Sequence, residues 1–86
     1  MKVLFVKTYY PIGDTNTYSM EVTAVFLTQK NKINGNVMCY SHIGQHCECS
    51  VLWVKEQAVA DVFEYADLFD ELVYIGYKNI NVVNKL

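Results

Sequence analysis

The sequence predicts an α+β fold: a small two-layer domain with a mostly antiparallel sheet of about four strands and one or two helices on one face. Three observations carry that prediction. β-branched and aromatic residues gather in short runs through the first half of the chain. An Asn34-Gly35 pair interrupts those runs as a hairpin turn does. The second half holds one stretch, DVFEYADLFDELVYIGY, whose apolar spacing and end signals are those of a helix. The predicted order is β-β-β-α-α-β. A chain of 86 residues makes one domain, taken as 1–86.

The first strand is Val3-Leu4-Phe5-Val6 with Thr8-Tyr9-Tyr10, apolar on both faces and therefore central or well covered. Pro11 and Gly13-Asp14 end it. In the run from Tyr18 to Thr28, alternation places Tyr18, Met20, Val22, Ala24 and Phe26 on one face. Asn34-Gly35 is expected to form a two-residue type I′ turn into a third strand, Val37 to His42. Residues 50–57 suit a strand by composition, but Cys47, Val51, Val54 and Ala58 recur at helical spacing, and a short helix is expected there.

The capped helix spans 61–75. Asp61 and Glu64 form a capping-box pair, and Gly76 fits the left-handed position past the end. Val62, Ala66, Phe69 and Val73 make the expected buried stripe, widened by Tyr65, Leu68 and Leu72. Glu64, Asp67 and Glu71 fall on the expected solvent side, which argues against acid/base chemistry for them. A last strand, Ile80 to Val83, returns to the sheet.

Composition excludes several classes. An apolar fraction of 52% with a net charge of −2 is that of a folded chain, not a disordered one. All seven basic residues are lysines, scattered from Lys2 to Lys85, so neither a basic stripe nor an arginine is present to grip a nucleic acid. The four glycines are isolated, so there is no phosphate-binding glycine loop. The opening MKVLFVKTYY lacks the features of a signal peptide, and no run approaches a membrane span. The expected location is cytoplasmic, with no membrane partner and with three reduced cysteines, whose odd number does not suit a closed disulfide framework.

Chemistry is suggested only by CYSHIGQHCEC, residues 39–49, which holds all three cysteines and both histidines. Thiolate and imidazole are zinc ligands, and the cluster offers more than the four a structural site uses. A strand before it and a helix after it would scatter them, placing Cys47 and Cys49 about 200° apart around a helix axis. The subset that a turn at Gly44 brings together is His42, His46 and Cys47, the candidate metal ligands if any metal is bound. A second alternative is a thiol-dependent enzyme with Cys47 or Cys49 as nucleophile at a helix start and His46 or His42 as base. A chain this short leaves little room for a substrate cleft. The plainest account makes Cys39 a core residue and lets Gln45 and His46 serve the next helix start.

The expected function is a small intracellular, non-enzymatic protein-interaction module without a cofactor. It is homodimeric, and it binds an unidentified protein partner through a tyrosine-bearing sheet face or edge. Seven tyrosines and a first strand apolar on both faces carry that expectation. An accessory or inhibitor protein of a phage or mobile element is a further alternative, by analogy of size alone.

Overall fold

Alternation along the two longest strands sets the architecture, and it does so on both faces of the sheet. In the computed structural model, which describes residues 1–14, 16–41 and 46–86, β1 is Lys2–Pro11 and β2 is Tyr18–Lys30. They pair antiparallel from Val3 opposite Phe26 to Pro11 opposite Tyr18. β3 (Val37–Ser41) continues the sheet beside β2, and β4 (His46–Cys49) lies beside β3, both antiparallel. β5 (Ala58–Val59) and β6 (Asn81–Val83) divide the other edge of β1 between them. β5 pairs antiparallel at Val6 and Lys7, and β6 runs parallel from Lys2 to Leu4.

The described residues therefore form a six-stranded sheet, ordered β4-β3-β2-β1-β5 with β6 beside β1, where about four strands were expected. The additional strands are β4 and β5, of four and two residues. Segments so short carry no readable period. No helix among the described residues is long and apolar enough to cross a membrane.

The two helices lie on opposite faces of the sheet rather than on one. Val3, Phe5, Val22, Ala24 and Phe26 pack with Leu68 and Leu72 of α2 (Val62–Tyr74). Leu4, Val6, Val25, Val37 and Cys39 pack with Val54 of α1 (Val51–Glu56), flanked by Val51 and Trp53. A strand apolar on both faces needs cover on both, and one turn and a half of helix provides the second layer. Each fully buried Leu or Phe removed from water stabilises the fold by roughly 1.5–3 kcal/mol. The second sheet face is thus covered by α1 around Leu4, Val6, Val25, Val37 and Cys39.

Local signals fix the helix ends. Ser50, rather than Gln45 or His46, caps α1 by accepting from the Trp53 N–H. Asp61 accepts from the Glu64 N–H, and Glu64 accepts in return from the Asp61 N–H, completing the capping box. At the other end Gly76 takes φ +116°, with its N–H donating to the Val73 carbonyl and that of Tyr77 to Leu72. That pair of bonds is the Schellman stop.

The buried face of α2 is rotated from the predicted stripe. Leu68 and Leu72 are fully buried, with Tyr65 and Phe69 beside them, while Val62 and Val73 stay more than half exposed. Glu64 and Glu71 are half-buried, and of the three predicted solvent-side carboxylates Asp67 alone is exposed. The cause is polar as well as apolar. Lys7 draws Glu64 toward β1, and Tyr40 of β3 hydrogen bonds Glu71. The helix therefore turns its leucine side to the sheet.

The turn between β2 and β3 also differs from expectation. It spans residues 31–36, and Gly35 takes φ +74° there, so it is a six-residue loop rather than a two-residue turn. Asn31 and Asn34 side chains accept from the N–H groups of Ile33 and Asn36. Glu48 of β4 accepts from the amides of Asn31, Asn34 and Asn36. Those three donors, Asn31 first, hold the Glu48 carboxyl below its usual range.

Candidate functional site

The three cysteines converge. Because residues 46–49 form a strand and not a helix start, Cys47 and Cys49 stand two residues apart on one face. Cys39 lies directly opposite Cys47 across the β3–β4 ladder. Cys39 and Cys49 are joined by a disulfide with Cα atoms 6.4 Å apart, which corrects the expectation of three reduced thiols. Cys47 keeps a free, exposed thiol, and its Sγ lies 3.1 Å from that of Cys39. Cys39 is fully buried against the α1 face of the sheet, so the group grades from core to solvent.

These sulfurs line a cavity of about 420 Å³ whose wall also includes Tyr10, Glu21, Thr23, Ser41 and Trp53. The short chain thus has room for a cleft beside its cysteines. The Tyr10 hydroxyl donates to Glu21 at one side. This bond to a carboxylate, helped by burial, pushes the Tyr10 phenol up to about 12. No lysine appears among the described residues lining this cavity. A larger cleft of about 780 Å³ lies between β5, β6 and the start of α2, but its carboxylate, Asp61, is already engaged as the helix cap.

His46 does not join the cysteines. His46 neighbours Cys47 in β4, so its ring points to the other face, toward α2. There it stacks near Phe26 and lies tilted against Tyr40, and Nε2 is hydrogen bonded to the Tyr77 hydroxyl. Tyr40 beside it is raised above the usual phenol range by its bond to Glu71 and by burial, and Tyr77 is raised by burial. His42 and Gly44, the other members of the predicted turn, lie outside the described residues. The signal that finds the triad is Cys47-x-Cys49, which separates two thiols on a helix and aligns them on a strand.

A second feature is an arm. β5 stops at Lys7 and β3 begins its pairing at Thr23, so Thr8 to Pro11 and Tyr18 to Val22 form a two-stranded ribbon. Among the described residues no other strand flanks it. Tyr9 pairs with Met20, and Tyr18 stands on the same face as Met20 one pleat further out. Tyr9 is 56% exposed and Tyr18 66%. Tyr10, on the reverse side, and Ile12, just past the end of β1, are also exposed. Four of the seven tyrosines, Tyr9, Tyr10, Tyr18 and Tyr74, are thus at the surface.

Comparison of the chain with protein families, with curated proteins and with solved structures returns no match, so the reading of these sites rests on their own geometry.

Proposed function

We propose that the protein is a non-enzymatic interaction module that self-associates through the β1–β2 arm. The supporting observation is the arm itself: two strands, both edges open among the described residues, with Tyr9, Tyr18 and Met20 in a row on one face. A two-stranded ribbon is marginal in water unless something packs on it. Its open edges offer unpaired N–H and C=O groups, and its aromatic row offers area with polar tips. An antiparallel edge is self-complementary about a two-fold axis, which makes a second copy of the chain the natural occupant.

The test is the mass of the full chain in solution across a concentration series, by sedimentation equilibrium. A dimer that dissociates in the double variant Tyr9→Ser, Tyr18→Ser supports the arm. The outer side of α2 supplies the contrast, since Phe63 and Tyr74 are about nine-tenths exposed. Replacing both by serine is expected to leave the dimer intact. A strict monomer, or a dimer lost in the α2 variant and kept in the arm variant, overturns the reading.

A further inference from the structure

We infer that the Cys39, Cys47 and Cys49 sulfurs form a redox-gated site for one thiophilic divalent cation, closed by the Cys39–Cys49 disulfide and opened by its reduction. The inference does not rest on self-association through the arm. Its basis is the convergence of the three Sγ atoms, which all lie within 4.8 Å of one another. A tetrahedral zinc-type ion with metal–sulfur bonds of about 2.3 Å holds its sulfurs about 3.8 Å apart. The triad therefore needs only side-chain adjustment, and no movement of the strands that carry it. Position in the ladder explains why: Cys39 faces Cys47 across β3 and β4, and Cys49 follows on the same face.

The surroundings suit a cation. The cavity that the cysteines line bears Tyr10, Glu21, Thr23 and Ser41, all oxygen donors, and no lysine among its described residues. With three protein ligands, the fourth position of the ion opens to that cavity. The graded burial also fits, because buried Cys39 anchors the site while exposed Cys47 gives the ion an entry.

The steps balance. Two molecules of a small thiol reductant supply two electrons and two protons to the Cys39–Cys49 bond and leave as their own disulfide. That gives three thiols in the triad. One divalent cation then replaces three protons as three sulfur–metal bonds form, leaving the site with one net negative charge. In the oxidised state two of the three sulfurs are tied to each other, and Cys47 alone does not hold the ion.

The experiment titrates Cd²⁺ into the full chain under argon and reads thiolate-to-metal charge-transfer absorption. The chain is first reduced with a phosphine that is then removed. Saturation at one Cd²⁺ per reduced chain, with no band in the oxidised chain, is the expected result. Cys47→Ser, at an exposed position, is expected to keep the fold by circular dichroism and to weaken binding by about tenfold or more. Cys49→Ser gives a second readout at a half-buried position. The inference is overturned if the reduced chain shows no saturable band. It is equally overturned if the oxidised chain binds as well, or if Cys47→Ser and Cys49→Ser bind like the parent.

Discussion

Lys7 of β1 reaches Glu64 in the first turn of α2, with Nζ 2.9 and 2.8 Å from the two carboxylate oxygens. The same carboxylate accepts the Asp61 N–H, so a single side chain closes the capping box and ties the helix start to the sheet. Lys7 also stands 6.0 Å from the centre of the Tyr9 ring, at the root of the arm.

A pH dependence follows. The Asp61 N–H first, and then Lys7, hold the Glu64 carboxyl below its ordinary value of 4.5. A proton therefore binds the unfolded carboxyl more tightly than the folded one. The stability Glu64 contributes is complete above about pH 4.5 and is lost as pH falls from there through the lower folded value. Urea midpoints of the parent are expected to fall more steeply on acidification than those of Glu64→Gln. Parallel curves for the two proteins would contradict the assignment.

The orientation of α2 makes a second prediction. Leu68 has no exposed surface, whereas Val73 is 52% exposed. Leu68→Ala is expected to cost about 2–5 kcal/mol, from lost burial and the cavity left behind. Val73→Ala is expected to change stability by less than about 0.5 kcal/mol, as surface substitutions do. Denaturant unfolding of both variants decides the matter. A larger loss at Val73 would place the helix on its Val62, Ala66 and Val73 side instead.

What could be read from the sequence divides along these lines. The ends of α2 were legible because capping is local: Asp61, Glu64 and Gly76 act within a turn of themselves. The facing of α2 was not, because Phe69 belongs to either face: Tyr65, Leu68 and Leu72 on one adjoining arc compete with Val62, Ala66 and Val73 on the other. Lys7 and Tyr40, far away in sequence, settle the choice. The first two strands and their alternation were legible for the same local reason, down to the shared face of Val22, Ala24 and Phe26. The cysteine group was hidden by a single local assignment. Read as a helix start, residues 47–49 separate their thiols; within the four-residue edge strand His46–Cys49 they align them, and only the pairing with β3 makes that strand. The loop 31–36 was obscured similarly, since Asn34-Gly35 is a turn signal whose length Glu48 of β4 helps to set.

Tyr10 provides a spectroscopic prediction on the wall of the cysteine cavity. Its phenol is pushed to about 12 chiefly because its O–H donates to the Glu21 carboxylate, and ionising it would place two negative charges together. Ultraviolet titration of the parent is expected to show one tyrosine ionising near pH 12. In Glu21→Gln that component is expected to move down toward the ordinary 10.0. An unchanged titration in the variant would show that the Glu21 bond is not what holds the proton.

The disulfide supplies the last prediction, one that separates its structural role from any metal. Cys39 and Cys49 lie 10 residues apart in sequence and join two neighbouring strands at the edge of the sheet. Closing a loop of that length restricts the unfolded chain by about 2–3 kcal/mol. Reduction without metal is therefore expected to lower the unfolding free energy by about that amount, measured in denaturant with and without a phosphine. Cys39→Ser is expected to lose more, because a hydroxyl then replaces a fully buried sulfur. Cys47→Ser is expected to respond to reduction as the parent does, since the bond it leaves intact is the same one. If Cys47→Ser no longer responded, the bridge in solution would join Cys47 to one of the other two cysteines. Its partner would then be read from the cross-linked peptides of the unreduced parent by mass spectrometry.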